Sequence, residues 1–218
     1  MLVERSLHPR YLSNAYLVAD EEGGAALYVD SGAPLEPLQE RAERWGVKPA
    51  IVLRTHSHAD HVEHEGELGL PVETGAAEVG GLRVEALATP GHSNDMVAFV
   101  VNGEAVFTGD TLFKDSVGGG NFEQVRESVM DVLMKLPPKT RVLPGHTDET
   151  TIGREWEENP FVRVWRGAEP EGTERVKVGS EDATLVVWSP DYDGKGKAWV
   201  RFDDGRDAIV GGSRVERG

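Results

Sequence analysis

Apolar residues in the first third of the chain fall in short runs broken by glycine and aspartate. Residues 2–7, 14–19 and 25–30 read as strands with Gly and Asp turns between them. Pro34 to Trp45 reads as a helix, with proline near its start and Gly46 at its end. Ile51-Val52-Leu53 is a buried strand, and Val72, 82–87, 97–101 and 105–107 continue the β pattern. Phe122 to Leu136 is the clearest helix: Phe122, Val125, Val129, Val132, Leu133 and Leu136 recur near helical spacing, and Pro137-Pro138 stops it. Arg141 to Leu143 is a further strand, and Glu149 to Glu158 reads as a polar helix. Periodicity alone gives a mixed α and β protein.

The pattern changes near residues 166–172, where Gly167-Ala168-Glu169-Pro170-Glu171-Gly172 reads as a linker. Short β-runs follow at 175–178, 184–188, 198–202 and 208–210, with turns at 191–196 and 203–205. The chain thus divides into a main unit, 1–168, and a small all-β appendage, 173–214, of barrel-like pattern. Such a piece is near the lower size limit for independent stability. It is expected to pack on the main unit or on another subunit, and to be separable without loss of metal binding.

The chemistry concentrates in His56-Ser57-His58-Ala59-Asp60-His61. A transition metal needs neutral imidazoles and carboxylates aimed at one point. In an extended segment, residues two apart point the same way, so His56 and His58 can share one ion. If a helix starts at Asp60, then Asp60 and His61 can turn back toward a second. His92 (in TPGHS), Asp110 (in FTGDT) and His146 (in VLPGHT) each follow a short apolar run and a glycine. They read as side chains at strand ends, where a sheet preorganises a site and glycine permits a sharp turn. His64 would share a helical face with His61, but it reads as a surface or supporting residue.

Composition narrows the partners. The chain has 218 residues, a formal net charge of -15 and a pI near 4.9. That excludes a general phosphate-backbone binder, so no nucleic-acid partner is expected. No apolar run approaches ~18 residues, and Met1 to Tyr16 lacks an apolar signal core, so no membrane association and a cytoplasmic location follow by default. There is no cysteine, which removes disulfides and thiol catalysis and leaves His and carboxylates to hold any metal. The expected partner is a small-molecule substrate; a homo-oligomer stays open.

The order HxHxDH, then His, Asp and His, resembles the metallo-β-lactamase superfamily. Asn14 to Val18 and Val29 to Gly32 resemble its opening strands. Phe107 to Phe113 resembles the glyoxalase II branch and the related persulfide dioxygenases. Thr150 to Glu155 and Asn159-Pro160-Phe161 resemble the short bacterial glyoxalase II-like (hydroxyacylglutathione hydrolase-like) proteins. The resemblance covers residues 1 to about 165. It implies an α+β fold, an αββα four-layer sandwich, here with the small all-β appendage in place of a helical substrate domain.

It also implies a ligand set: His56, His58 and His92 for one metal, Asp60, His61 and His146 for a second, and Asp110 bridging. Asp60 would be catalytic, orienting a metal-bound hydroxide. Two divalent ions are implied, zinc by default, with iron and manganese as candidates. The implied activity is dinuclear metal-dependent hydrolysis of a small thioester or ester. The alternative is a persulfide dioxygenase-like enzyme with one Fe(II) on His56, His92 and Asp110. A non-catalytic module is disfavoured by so complete a ligand set, and a β-lactamase by the lack of an export signal.

Two departures from the family bear on substrate. Gly119, in Ser116 to Gly120, stands where relatives carry a basic residue, and the helical domain is missing, so glutathione is expected to be a poor carrier thiol. Lys114 and Arg163 are candidate replacements for that charge. Phe113, Lys114 and Gly119 are candidate substrate-lining residues, although for Phe113, Trp156 and Trp165 a place in the core is the better reading than a pocket wall. The triple glycine reads as a mobile loop over the site. Tyr192, in a turn, is undecided between core and binding surface.

Overall fold

The computed structural model describes residues 1–218. The first sheet has the order β1-β2-β3-β4-β5: β1 (Leu2–Leu7), β2 (Asn14–Ala19), β3 (Ala25–Val29), β4 (Lys48–Leu53) and β5 (Val72–Glu73). Between β3 and β4 runs α1 (Glu36–Trp45), a crossover that makes those two strands parallel. Pro37 sits in its first turn, and Gly46 closes it in the left-handed conformation, φ 66°. Two short helices follow β4, α2 (Ala59–Val62) and α3 (Glu65–Leu68).

The second sheet repeats the scheme. It contains β6 (Ala77–Val79), β7 (Leu82–Ala88), β8 (Val97–Val101), β9 (Ala105–Gly109), β12 (Arg141–Pro144) and β13 (Thr150–Thr151), in the order β13-β12-β9-β8-β7-β6. A small ladder, β10 (Leu112–Phe113) and β11 (Ser116–Val117), lies beside it. The crossover from β9 to parallel β12 begins with α4 (Phe122–Glu127). After β13 come α5 (Ile152–Glu158) and α6 (Pro160–Trp165).

Strand alternation decides which side each residue serves. Tyr16, Val18, Leu27 and Val29 point between the sheets and meet Val84, Phe99, Val101 and Phe107. Their neighbours Ala15, Leu17, Ala26 and Tyr28 point outward under Leu38 and Ala42 of α1. On the other sheet Ala98, Val100 and Val106 face outward under Phe122, Val125 and Phe161. Both central sheets are buried on two faces. The four layers are helix, sheet, sheet and helix, as expected.

A C-terminal five-stranded sheet follows, order β17-β16-β15-β14-β18: β14 (Glu174–Val178), β15 (Glu181–Ser189), β16 (Lys197–Phe202), β17 (Asp207–Gly211) and β18 (Val215–Arg217). A register shift between Leu185 and Val187 in β15 turns both Val186 and Val187 away from that sheet's own core. With Trp199 and Ile209 they join the cluster containing Phe122, Val125 and Phe161. The expected packing on the main unit is therefore present. Separability has no support, because one apolar core of 18 residues runs through both parts.

Three local expectations are corrected. The helix from Phe122 is α-helical only to Glu127; Ser128–Val132 widens to π geometry and Leu133–Lys135 tightens to 3₁₀. Ser128 Oγ donates to Pro90 O at 2.7 Å within the widened stretch, tying it to the segment before His92. The polar helix from Glu149 begins only at Ile152, since Thr150 and Thr151 pair with β12 and Thr151 caps the helix by accepting from Arg154 N. The triple glycine is a fitted segment rather than a mobile loop. Gly118 N donates to Thr111 O at 3.3 Å, and Gly120 bridges to Ile209 of β17.

A Cβ built on Gly118 would overlap the carbonyl oxygen of Asp110, whereas one on Gly119 would make an ordinary 3.7 Å contact with Ile209 O. Gly118→Ala is therefore expected to lower stability by about 1–3 kcal/mol and to disturb the Asp110 loop. Gly119→Ala should be near neutral. Thermal melts and metal content of the pair check this; equal behaviour would contradict it.

No helix is long and apolar enough to cross a membrane.

Candidate metal centre

β7, β9 and β12 run in one direction, because β8 is antiparallel to both β7 and β9 and β12 is parallel to β9. Their C-terminal ends share an edge, and the segments leaving them carry His92, Asp110 and His146. The segment leaving β4 brings His56 and His58 to the same place. His58 is extended (φ -66°, ψ 143°) and starts α2, so Asp60 and His61 turn back as expected.

Three groups of ligand atoms result: His56 with His58 and His92, Asp60 with His61 and His146, and a third joining His56 and His61 to Asp110. His58 Nδ1 lies 3.1 Å from His56 Nε2 and 2.9 Å from His92 Nε2. Asp60 Oδ2 lies 3.6 Å from His61 Nε2 and 3.5 Å from His146 Nε2. Asp110 stands between the groups, with Oδ2 3.5 Å from His92 and 3.4 Å from His146 and Oδ1 3.3 Å from His61. All seven predicted ligands meet at one site.

The donor set fits cations. His61 Nε2 and Asp110 Oδ1 are buried and face only each other, at 3.3 Å and without a well-formed hydrogen bond, an arrangement that a cation between them would satisfy. Burial pushes His56 down to about 4, so its ring is neutral at neutral pH, as a ligand must be. Burial opposes protonation of His146 too, but Asp110 and Asp60 overcome it and raise the ring to about 9. A cation held between these groups would take the place of that proton.

The other imidazole nitrogens are held from behind, which fixes ring orientation. His61 Nδ1 donates to Asp30 Oδ2 at 2.9 Å, His92 Nδ1 to Gly119 O at 2.9 Å and His146 Nδ1 to Leu12 O at 2.9 Å. His56 Nδ1 is 3.0 Å from Thr55 Oγ1. Asp30 also accepts from Thr55 N and Thr55 Oγ1, both at 2.8 Å, and sits in the left-handed region, φ 56°. Sequence reading placed Asp30 only as the end of a strand; a carboxylate closing a buried apolar run is the signal that could have marked it. Asp30→Asn, which keeps the shape and tolerates positive φ, is expected to weaken metal binding about 10- to 100-fold. Competition with a chelator measures this, and an unchanged affinity would remove Asp30 from the site.

The substrate-lining candidates separate. Phe113 is fully buried, edge-on to His146 at 5.6 Å between ring centres, so it supports the ligands rather than lining an opening. Gly119 contributes its carbonyl to His92. Lys114 lines a cleft of about 360 Å³ shared with Thr147 and Tyr192, none of whose lining residues is one of the seven candidate ligands. Arg163 donates to Glu157 O and Glu169 Oε1 at 2.6 Å each and supplies no charge to the site. Trp156 and Trp165 pack on the core under the second sheet. α2 ends at Val62, so His64 does not share its face; His64 Nδ1 is 2.9 Å from Glu67 Oε1.

The C-terminal sheet also reaches the site. Tyr192, in the turn between β15 and β16, stacks on His146 with ring centres 3.9 Å apart and planes 11° from parallel. Burial, then the carboxylates of Asp110 and Asp191, push its hydroxyl well above the usual phenol range, so it stays protonated.

No protein-family model matches the chain. An uncharacterised protein of Aquifex aeolicus is 33% identical over 194 residues, which span 68% of this chain and 91% of that one. The probable metallo-hydrolase YqgX of Bacillus subtilis is 28% identical over 197 residues, 69% of this chain and 92% of that one. Among solved structures, TTHA1623 in a di-iron-bound form is 32% identical with a TM-score of 0.60, covering 72% of this chain and 98% of that one. ETHE1 from Myxococcus xanthus is 27% identical with a TM-score of 0.64, covering 78% and 92%. BLEG-1, a B3 metallo-β-lactamase, is 24% identical with a TM-score of 0.67, covering 74% of this chain and 99% of that one. A His and Asp cluster able to hold metal ions, on two packed sheets flanked by helices, accompanies these likenesses, and the chain has the fold of the metallo-β-lactamases.

Proposed function

We propose that the protein is a dinuclear metal-dependent hydrolase of a small thioester or ester. The observation that carries this reading is the pair of three-ligand groups with Asp110 between them. His56, His58 and His92 would hold one ion, Asp60, His61 and His146 the other, and Asp110 would touch both. Two such cations acidify water near neutral pH and polarise a carbonyl oxygen. Around them, the Asp60 side chain remains partly open to solvent and can accept a hydrogen bond from water, orienting it toward the substrate. Asp30, Thr55, Leu12 and Gly119 hold the imidazoles still, so little reorganisation accompanies reaction. The buried edge of Phe113 keeps water from the back of His146.

Zinc is the default metal, and the di-iron relative makes iron a second candidate. Glutathione is not the proposed carrier thiol. Gly119 offers no cation, β17 lies next to the space a side chain there would enter, and Arg163 is tied elsewhere.

Metal analysis of the protein as purified, with thioester hydrolysis and oxygen uptake assayed side by side, tests the reading. Two metals per chain and hydrolysis without oxygen uptake are expected. One iron per chain, oxygen uptake with a persulfide and no hydrolysis would instead assign a mononuclear dioxygenase built on His56, His92 and Asp110.

A further inference from the structure

The imidazole of His146 is packed by both parts of the chain. Leu12 O accepts from its Nδ1 at 2.9 Å, and Phe113 meets it edge-on, 5.6 Å between ring centres at 88°. Tyr192, from the C-terminal sheet, covers its face at 3.9 Å and 11°. Phe113 is edge-on to Tyr192 as well, at 5.9 Å and 88°, so the three rings form one closed cluster. What remains is Nε2, which faces Asp60 and Asp110 at 3.5 and 3.4 Å. Tyr192 also lines the cleft that Lys114 and Thr147 line, so its ring separates the imidazole from that opening.

The His146 corner needs such support. Thr147, next in the chain, sits in the left-handed region at φ 70°, a strained place for a β-branched residue. The torsion that turns an imidazole plane has broad minima. One hydrogen bond at Nδ1 pins one atom and leaves the plane free to tilt about it. A parallel ring on the face removes that freedom.

Tyr192 is itself held firmly. Asp191 Oδ1 accepts from Tyr192 N at 3.0 Å, and Asp191 Oδ2 pairs with Lys197 Nζ at 2.9 Å, both side chains nearly buried. A buried ion pair contributes little net stability, and its best use is to fix one conformation. The start of the turn is tied to the main unit by fully buried polar groups. Ser189 Oγ lies 3.0 Å from Ser116 Oγ, Ser116 O accepts from Asn159 Nδ2 at 3.0 Å, and Asn159 Nδ2 also donates to Glu155 Oε2 at 3.0 Å.

We propose that Tyr192 is a positioning residue for His146: its ring, stacked on the imidazole, sets the plane in which Nε2 meets the second metal ion. The proposal rests on the dinuclear reading, in which His146 is a ligand of that ion. The C-terminal sheet then serves the chemistry through the geometry of one ligand.

The test exchanges the metal of the full chain for cobalt(II), whose visible absorption reports ligand geometry, and titrates each ion. Bands that survive in His61→Gln belong to the ion on His56, His58 and His92. Tyr192→Leu is expected to weaken the other ion about tenfold and to shift its bands, with the first ion unchanged. Tyr192→Phe, which keeps the ring, should restore both the affinity and the spectrum. Equal weakening of both ions by Tyr192→Leu would show general support of the fold and overturn the proposal. Wild-type affinities and bands in Tyr192→Leu would overturn it too, as would a Tyr192→Phe as weak as Tyr192→Leu. Should Tyr192→Leu misfold, the double variant Asp191→Asn with Lys197→Gln loosens the turn and keeps the ring; the same selective weakening is expected, and none would overturn the proposal. A wild type that takes up one cobalt per chain removes the dinuclear reading and the proposal with it, whereas two cobalts insensitive to Tyr192→Leu remove the proposal alone.

Discussion

His61→Ala is expected to leave one metal per chain where the wild type holds two, and to lower thioester hydrolysis on the order of 10²–10³-fold. His61 sits within 3.6 Å of Asp60 and 3.3 Å of Asp110, so it belongs to the second group of ligands and to the group through which Asp110 joins the two, but not to the His56, His58 and His92 group. His56, His58 and His92 keep their mutual geometry without it. The rate loss follows from removing one of two positive charges facing the developing oxyanion, an effect of the size seen when a single such stabiliser is lost.

The substitution also has a structural side. His61 is fully buried between Asp30 and Asp110, and alanine leaves two buried carboxylates without their shared imidazole. His61→Gln, which can still donate to one of them, separates the effects: loss of metal and rate with a melt close to wild type would assign His61 to the metal. Metal analysis and steady-state rates of both variants provide the measurement. Two metals retained by His61→Ala would contradict the assignment.

Much of this site was legible because its ligands are local in sequence or carry a local signature. His56 to His61 form one segment, and the alternation of extended chain followed by a helix start already aims them at two points. His92, Asp110 and His146 each follow an apolar run and glycine, which reads as a strand end without knowledge of the fold. The parts that were not legible depend on contacts between distant segments. Leu12 acts through a carbonyl, which no side-chain pattern reports. Tyr192 reaches His146 only because β15 and β16 place their turn over the first unit, a matter of tertiary packing. Gly118 looked like a source of freedom and is instead a point of close approach to Asp110. Likewise, strands β6, β10, β11 and β18 are too short for two-residue periodicity to register, and α6 was hidden behind Asn159, whose side chain caps it by accepting from Phe161 N.

A chain ending near Gly167 is expected not to fold to a cooperative, metal-binding unit. Linker composition at 167–172 suggests a clean boundary, but side-chain packing crosses it. α6 lies on β15 and α4 on β17, and Phe122 meets Trp199 with ring centres 4.9 Å apart. Removing the C-terminal sheet would expose Phe122, Val125 and Phe161, each now in the shared core. Leaving one such side chain in water costs about 1.5–3 kcal/mol, and three of them approach the whole folding stability of a typical domain, about 5–15 kcal/mol. The same cut removes Ile209, which pairs with Gly120 immediately after the carbonyl that orients His92. Loss of the His56, His58 and His92 group should therefore accompany loss of stability. Thermal melts and metal analysis of the truncated chain beside the full one decide the matter. A soluble truncation with a cooperative melt and its full metal complement would show that the C-terminal sheet only decorates a self-sufficient fold.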